Sequence, residues 1–175
     1  MKKITRRSIL AAAPSALAFA APFLSIAQAR AEKQYGPGVT DTEIKLGNTV
    51  PYSGPASSYG TIGKAEAAYF RMLNDQGGVN GRKINFISYD DAYSPPKTVE
   101  QVRKLVEEDG VLLMLAPLGT PTNSAIQRYL NQKKVPQLFV ATGATKWNDP
   151  KHFPWTMGWQ PNYQSEGHVY AAYVL

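Results

Sequence analysis

"RKINFISYDDAYSPPKTVEQVRKLVEEDGVLLMLA", residues Arg82 to Ala116, decides the fold. Ile84, Phe86 and Ser88 alternate with Asn85, Ile87 and Tyr89. A period of two sends successive side chains to opposite faces, so Arg82 to Asp91 reads as a strand. Ser94-Pro95-Pro96 then opens a helix, because proline suits a first turn whose N–H groups lack partners anyway. Val99, Val102, Leu105 and Val106 follow at helical spacing, and Gly110 ends the pattern. Val111 to Ala116 is an unbroken apolar run and predicts a strand buried on both faces. Strand, crossover helix and strand in this order call for a parallel pair joined by a right-handed connection.

The same alternation extends both ways. Upstream, Glu43 to Pro51 reads as a first strand and "SGPASSYG" as a loop. A helix follows, with Ile62, Ala65, Ala68, Tyr69, Met72 and Leu73 at helical spacing, ended by Gly77 and Gly78. Downstream, "PTNSAIQRYLNQKK" predicts a third helix with Ala125, Ile126, Tyr129 and Leu130 on its inner face. "VPQLFVA" predicts a fourth strand and "FPWTMG" a short further one. "NYQSEGHVYAAYVL" starts another helix and carries no C-cap, which predicts a truncated N-terminal piece of a larger protein. The fold class expected is α/β, a doubly wound, mostly parallel sheet.

The chain has 175 residues, no cysteine and a formal charge of +6. Lys2, Lys3, Arg6, Arg7 and Arg30 all precede the first acidic residue, Glu32, and without them the charge falls to +1. The basic balance therefore belongs to the leader, and a nucleic-acid role loses its support. Residues 1–31 combine a basic start, an Ala/Leu/Phe stretch and small residues at Ala27-Gln28-Ala29 and Ala29-Arg30-Ala31. This is the pattern of an export signal cleaved near Ala29 or Ala31, and Arg6-Arg7 resembles a twin-arginine signal. Pro14 and Pro22 interrupt the apolar stretch and make it a poor permanent membrane span. Residues 32–175 would then form one α/β lobe in the periplasm.

Catalytic chemistry has little to work with. His152 and His168 are the only histidines and read as surface or packing residues. No zinc-binding spacing and no nucleophile elbow is present, so no metal is expected. Asp90 and Asp91 could gather a divalent cation or act as acid and base; capping of the turn that follows is the reading adopted. Gly54, Gly60 and Gly63 lack the tight Gly-x-Gly of a dinucleotide loop, so no cofactor is expected. Three strand-end loops, 53–59, 119–122 and 142–145, are rich in small and hydroxyl residues, and all should lie at the carboxyl edge of the sheet. There Thr120, Thr122 and Thr145 could donate to a carboxylate, together with N–H groups at a helix start, and Tyr59 could cover an apolar group. The plainer alternative is that these residues only cap helices and make turns.

Four stretches together resemble the periplasmic solute-binding proteins of ABC transporters, branched-chain amino-acid type: "LGNTVPYSGPASSYG", "NDQGGVNGRKINFISYDDAYSPPKTVEQVRKLVEEDGV", "LAPLGTPTNSAI" and "VPQLFVATGAT". The likeness runs from about Glu43 to Leu175. It implies a type I periplasmic binding fold of two lobes, the second lying outside this chain. It implies a pocket wall at Tyr59 and carboxylate binding at Gly119 and Thr120. Gly143, Ala144 and Thr145 would meet backbone groups of the ligand, with Ala141 and Thr142 as alternatives two residues earlier, and Tyr163 would lie near a further pocket segment. The implied protein is a monomer and no enzyme, and takes an amino acid or a small aromatic or organic acid. It would deliver that solute to an ABC permease in the inner membrane. The other readings open at this point are the ligand-binding lobe of a sensor or regulator and an exported α/β enzyme.

Overall fold

The computed structural model describes residues 34–175. The export signal assigned to residues 1–31 lies outside the described residues. Five strands form one parallel sheet in the order β2-β1-β3-β4-β5. They are β1 (Glu43–Val50), β2 (Lys83–Asp90), β3 (Leu113–Leu115), β4 (Gln137–Val140) and β5 (Thr156–Gly158). The helices are α1 (Gly60–Asp75), α2 (Pro95–Arg103), α3 (Thr120–Lys133) and α4 (Tyr163–Val174). A π-helical turn, Lys104–Glu108, prolongs α2.

β1 is followed in sequence by β2 on one side and flanked by β3 on the other, so the winding direction reverses between β1 and β3. That reversal opens a crevice beyond the carboxyl ends of the strands. β1 and β2 run in register from Glu43 opposite Lys83 to Val50 opposite Asp90. A parallel bridge between Leu118 and Ala141 carries the pairing of β3 and β4 up to the edge of the crevice.

The core lies between the sheet and the α2/α3 layer. Val102, Leu105, Val111, Met114, Ile126 and Leu130 are buried together there. β3 is shorter than the Val111–Ala116 run. It buries Met114 fully, but Leu113 and Leu115 only partly, rather than both faces equally. α3 also departs from its expected face. Ala125 is exposed, and Thr122, Asn123 and Gln127 are buried beside Ile126 and Leu130. For Asn123 the reason is a buried polar chain. Asn123 Nδ2 donates to Pro117 O (2.8 Å) and Gly119 O (2.7 Å), and Gln137 Nε2 donates to Asn123 Oδ1 at 2.7 Å. Thr156 Oγ1 then donates to Gln137 Oε1 at 3.1 Å, tying β5 to the same chain. Buried polar groups need partners, and here that need fixes the loop before α3.

α1 is rotated relative to the expected face. Ile62, Ala65, Ala68, Tyr69 and Met72 point outward, while Gly60 and Gly63 are buried. A methyl group at Gly63 would collide with Val50 and Tyr52, and one at Gly60 with the Pro51 carbonyl. These glycines let the helix lie close against the end of β1. Further along, Phe70 packs on Phe86 of β2 with ring centroids 5.1 Å apart.

Candidate functional site

A cleft of about 630 Å³ opens at the carboxyl edge of the sheet. That is within the usual size of a small-molecule site, roughly 300–1,000 Å³. Its floor comes from the end of the β3 loop, Leu118 and Gly119, from Thr120 at the start of α3, and from Ala141 and Thr142 after β4. Tyr59 and Ile62 form one wall, Tyr93 another, and Tyr163, Glu166 and Tyr170 of α4 a third. Among the described residues no lysine, arginine or histidine lines it and Glu166 is its one charged side chain, to which the Tyr170 hydroxyl donates.

Each part of the floor has a local cause. Gly119 holds φ of +101°, where a side chain is strained, and a Cβ there would also strike the Tyr93 ring and the Thr122 hydroxyl. Its conformation turns the chain from β3 directly into α3. The helix therefore begins at the crevice, with its N-terminal amides and the positive end of its dipole there. The Thr120 and Thr142 hydroxyls are hydrogen-bonded to each other across the floor, and Tyr163 OH lies 3.3 Å from Thr142 Oγ1. Burial, ahead of the neighbouring Tyr163, pushes the Tyr93 hydroxyl above its ordinary range, so it keeps its proton at neutral pH.

The acidic pair at the end of β2 caps and braces. Asp90 Oδ1 accepts from the backbone N–H groups of Tyr52 (2.8 Å), Ser53 (3.0 Å) and Ala92 (3.0 Å). Its Oδ2 accepts from Ser53 Oγ at 2.6 Å and Lys97 Nζ at 2.8 Å. Burial pushes this carboxyl up, but the donors, Lys97 and Ser53 foremost, outweigh it and hold Asp90 well below the usual carboxylate range. Asp91 is fully buried and accepts from Tyr93 N and Thr98 Oγ1, each at 2.9 Å; burial above all raises its pKa. All this capacity goes to the loops that carry Tyr59 and Tyr93. Among the described residues no group of three acidic or histidine side chains could hold a metal ion.

The structure brings four of the sequence candidates into the cleft: Tyr59, Gly119, Thr120 and Tyr163. It places the others elsewhere. Gly143 packs beneath the Tyr163 ring and accepts the Tyr163 N–H at 2.8 Å, while Ala144 and Thr145 open onto a neighbouring hollow beside Trp147. The cleft positions of that loop are Ala141 and Thr142, two residues earlier, because the chain turns away from the floor as soon as β4 ends. Thr122 is buried, and its hydroxyl donates to the Leu118 and Gly119 carbonyls, so it is not available to a ligand. His152 sits in the outer loop against Asp149, 2.8 Å away. Sequence reasoning missed Tyr93. It stands two residues after the acidic pair, and no glycine marks the turn that aims it.

The model of the family described as periplasmic binding protein matches residues 43–175. The chain belongs to this family. The five-stranded parallel lobe has the type I fold of that family. Among relatives, the chain is 38% identical over 69 residues to the leucine-, isoleucine-, valine-, threonine- and alanine-binding protein of Pseudomonas aeruginosa, covering 39% of this chain and 18% of that one. Among solved structures, it is similar to a substrate-binding periplasmic protein from Ralstonia solanacearum, with TM-score 0.64 and 28% identity over 70% of this chain and 35% of that one. It is also similar to a fatty acid ABC transporter substrate-binding protein from Thermomonospora curvata, with TM-score 0.54 and 33% identity over 60% of this chain and 27% of that one. The match thus spans about a fifth to a third of the length of these proteins.

Proposed function

We propose that this chain is a ligand-binding lobe of an exported solute-binding protein, one that captures a small carboxylate-bearing solute for an ABC importer. A branched-chain amino acid or an organic acid of similar size fits the reading. One observation carries it: paired threonine hydroxyls, Thr120 and Thr142, lie at the N-terminus of α3 on the floor of a tyrosine-walled cleft that has no cation among the described residues. Helix N-termini and hydroxyl donors suit a carboxylate, and apolar ring faces suit the body that bears it. The length of the relatives supports a second lobe closing over the cleft, the rearrangement by which such proteins signal occupancy. The family supports residence in the periplasm after signal cleavage and transfer of the solute to an inner-membrane permease. No catalytic role is assigned: the carboxylates beside the cleft are engaged in bracing, as Asp90 and Asp91 show.

A thermal-shift screen of the mature protein against amino acids, aromatic acids and short aliphatic acids tests this reading. A hit should raise the melting temperature progressively with concentration, by the equivalent of about 2.7 kcal/mol at 100 times Kd, and leave the solute unchanged. Conversion of the solute, or no stabilisation by any acid, would refute it.

A further inference from the structure

We infer that Tyr93 is a specificity-determining residue of the cleft, presenting its hydroxyl to the acid group of the solute beside Thr120 and Thr142. The inference rests on the solute-binding reading above and adds to it the residue that selects acids over their neutral analogues.

The backbone places Tyr93 at some cost. Ala92 and Tyr93 are consecutive non-glycine residues with φ of +50° and +59°. Side-chain-bearing residues rarely adopt this region, and they persist there only when the surroundings overdetermine them. The surroundings are the two aspartates: Asp90 Oδ1 takes the Ala92 N–H at 3.0 Å and Asp91 Oδ1 takes the Tyr93 N–H at 2.9 Å. The effect is to lay one ring against Gly119, at the only kind of residue that leaves room for it. A glycine and two strained positions on separate loops thus converge on one side chain facing the cleft.

The hydroxyl's surroundings define its role. The Tyr93 ring lies against Gly119, the residue before Thr120, so its hydroxyl shares the cleft with the Thr120 and Thr142 hydroxyls. The protonated phenol has one O–H to donate to an acid group. Among the described residues no cation lines the cleft, so on this lobe the charge of an acid is met by hydroxyl and amide donors. Each donor then counts, and a carboxylate accepts from several at once more strongly than a neutral carboxamide does.

Calorimetry on the mature protein tests this with L-leucine, L-isoleucine and benzoate, each against its primary carboxamide. Tyr93→Phe keeps the ring on Gly119 and removes only the hydroxyl. It should weaken binding of the acids about tenfold or more while leaving the carboxamides within about twofold, collapsing the acid-to-amide ratio. That ratio is read within a single protein, so a general loosening of the fold leaves it unmoved. An unchanged ratio in Tyr93→Phe overturns the inference and leaves the solute-binding reading standing. Failure of all three acids to bind the wild-type protein overturns the carboxylate reading of the cleft and this inference with it.

Discussion

Asp90→Asn is the substitution whose outcome the geometry specifies most fully. The carboxylate takes three backbone N–H groups on Oδ1, and the Ser53 hydroxyl and Lys97 ammonium on Oδ2. An asparagine can keep the Oδ1 set but turns an NH₂ group toward Ser53 and Lys97, so two donors lose their acceptor. A hydrogen bond to a charged group contributes about 1.5–3 kcal/mol, and the side chain's 30% exposure screens the lysine pair. The expected net loss is about 1.5–3 kcal/mol at pH 7, measured by urea unfolding. The pH dependence has a definite sign. The folded-state pKa lies below the unfolded value, so the stabilisation is complete above the unfolded pKa and disappears as pH falls through the folded one. Wild-type protein should therefore lose stability on acidification below about pH 4, and Asp90→Asn should lose less over the same range. Because Asp90 also anchors Tyr52 and Ser53, ahead of Tyr59 in the same loop, solute affinity should fall as well. Equal stabilities at pH 7, or parallel acid limbs, would refute the bracing role.

Thr120→Val should weaken solute binding by about 1–3 kcal/mol in calorimetry, as expected if that hydroxyl meets a desolvated acid, and cost the apo protein no more than about 0.5–1.5 kcal/mol for the lost bond to Thr142. Gly119→Ala should cost about 2 kcal/mol or more in chemical denaturation, combining a positive φ with a collision against the Tyr93 ring, and should abolish binding. Glu66 faces the sheet from α1 near Asn48, and burial raises its pKa to about 7. The folded state then holds a proton that the unfolded state releases near 4.5, so stability should fall as pH rises from about 4.5 to 7. Glu66→Gln should flatten that fall and gain on the order of 1 kcal/mol at pH 8, a figure discounted for partial exposure and read from melting curves.

The periodic parts of the sequence carried the fold. The run from Arg82 to Ala116 alternates, then changes period, then becomes wholly apolar, and those three textures match β2, α2 and β3 in order. The helix faces were harder to read. α1 carries apolar residues on two sides, and the glycines at 60 and 63 decided which side could approach β1. α3 buries Thr122 and Asn123 because the loop at Pro117–Gly119 needs donors, a demand that no hydropathy pattern displays. The cleft was legible as a location, since strand ends in a parallel sheet share one edge. Its membership was less so: after β4 the chain leaves the floor within two residues, which separates Thr142 from Gly143, Ala144 and Thr145. Tyr93 was invisible because its turn relies on left-handed Ala92 and Tyr93 rather than on glycine.

The most direct test of the central claim is the crystal structure of the mature protein with the acid that stabilises it most. The expected result places the carboxylate within hydrogen-bonding distance of the Thr120 and Thr142 hydroxyls, at the N-terminus of α3, with the body of the solute between Tyr59 and Tyr163. An acid group held by a lysine or arginine elsewhere, or a solute bound away from this floor, would contradict the account.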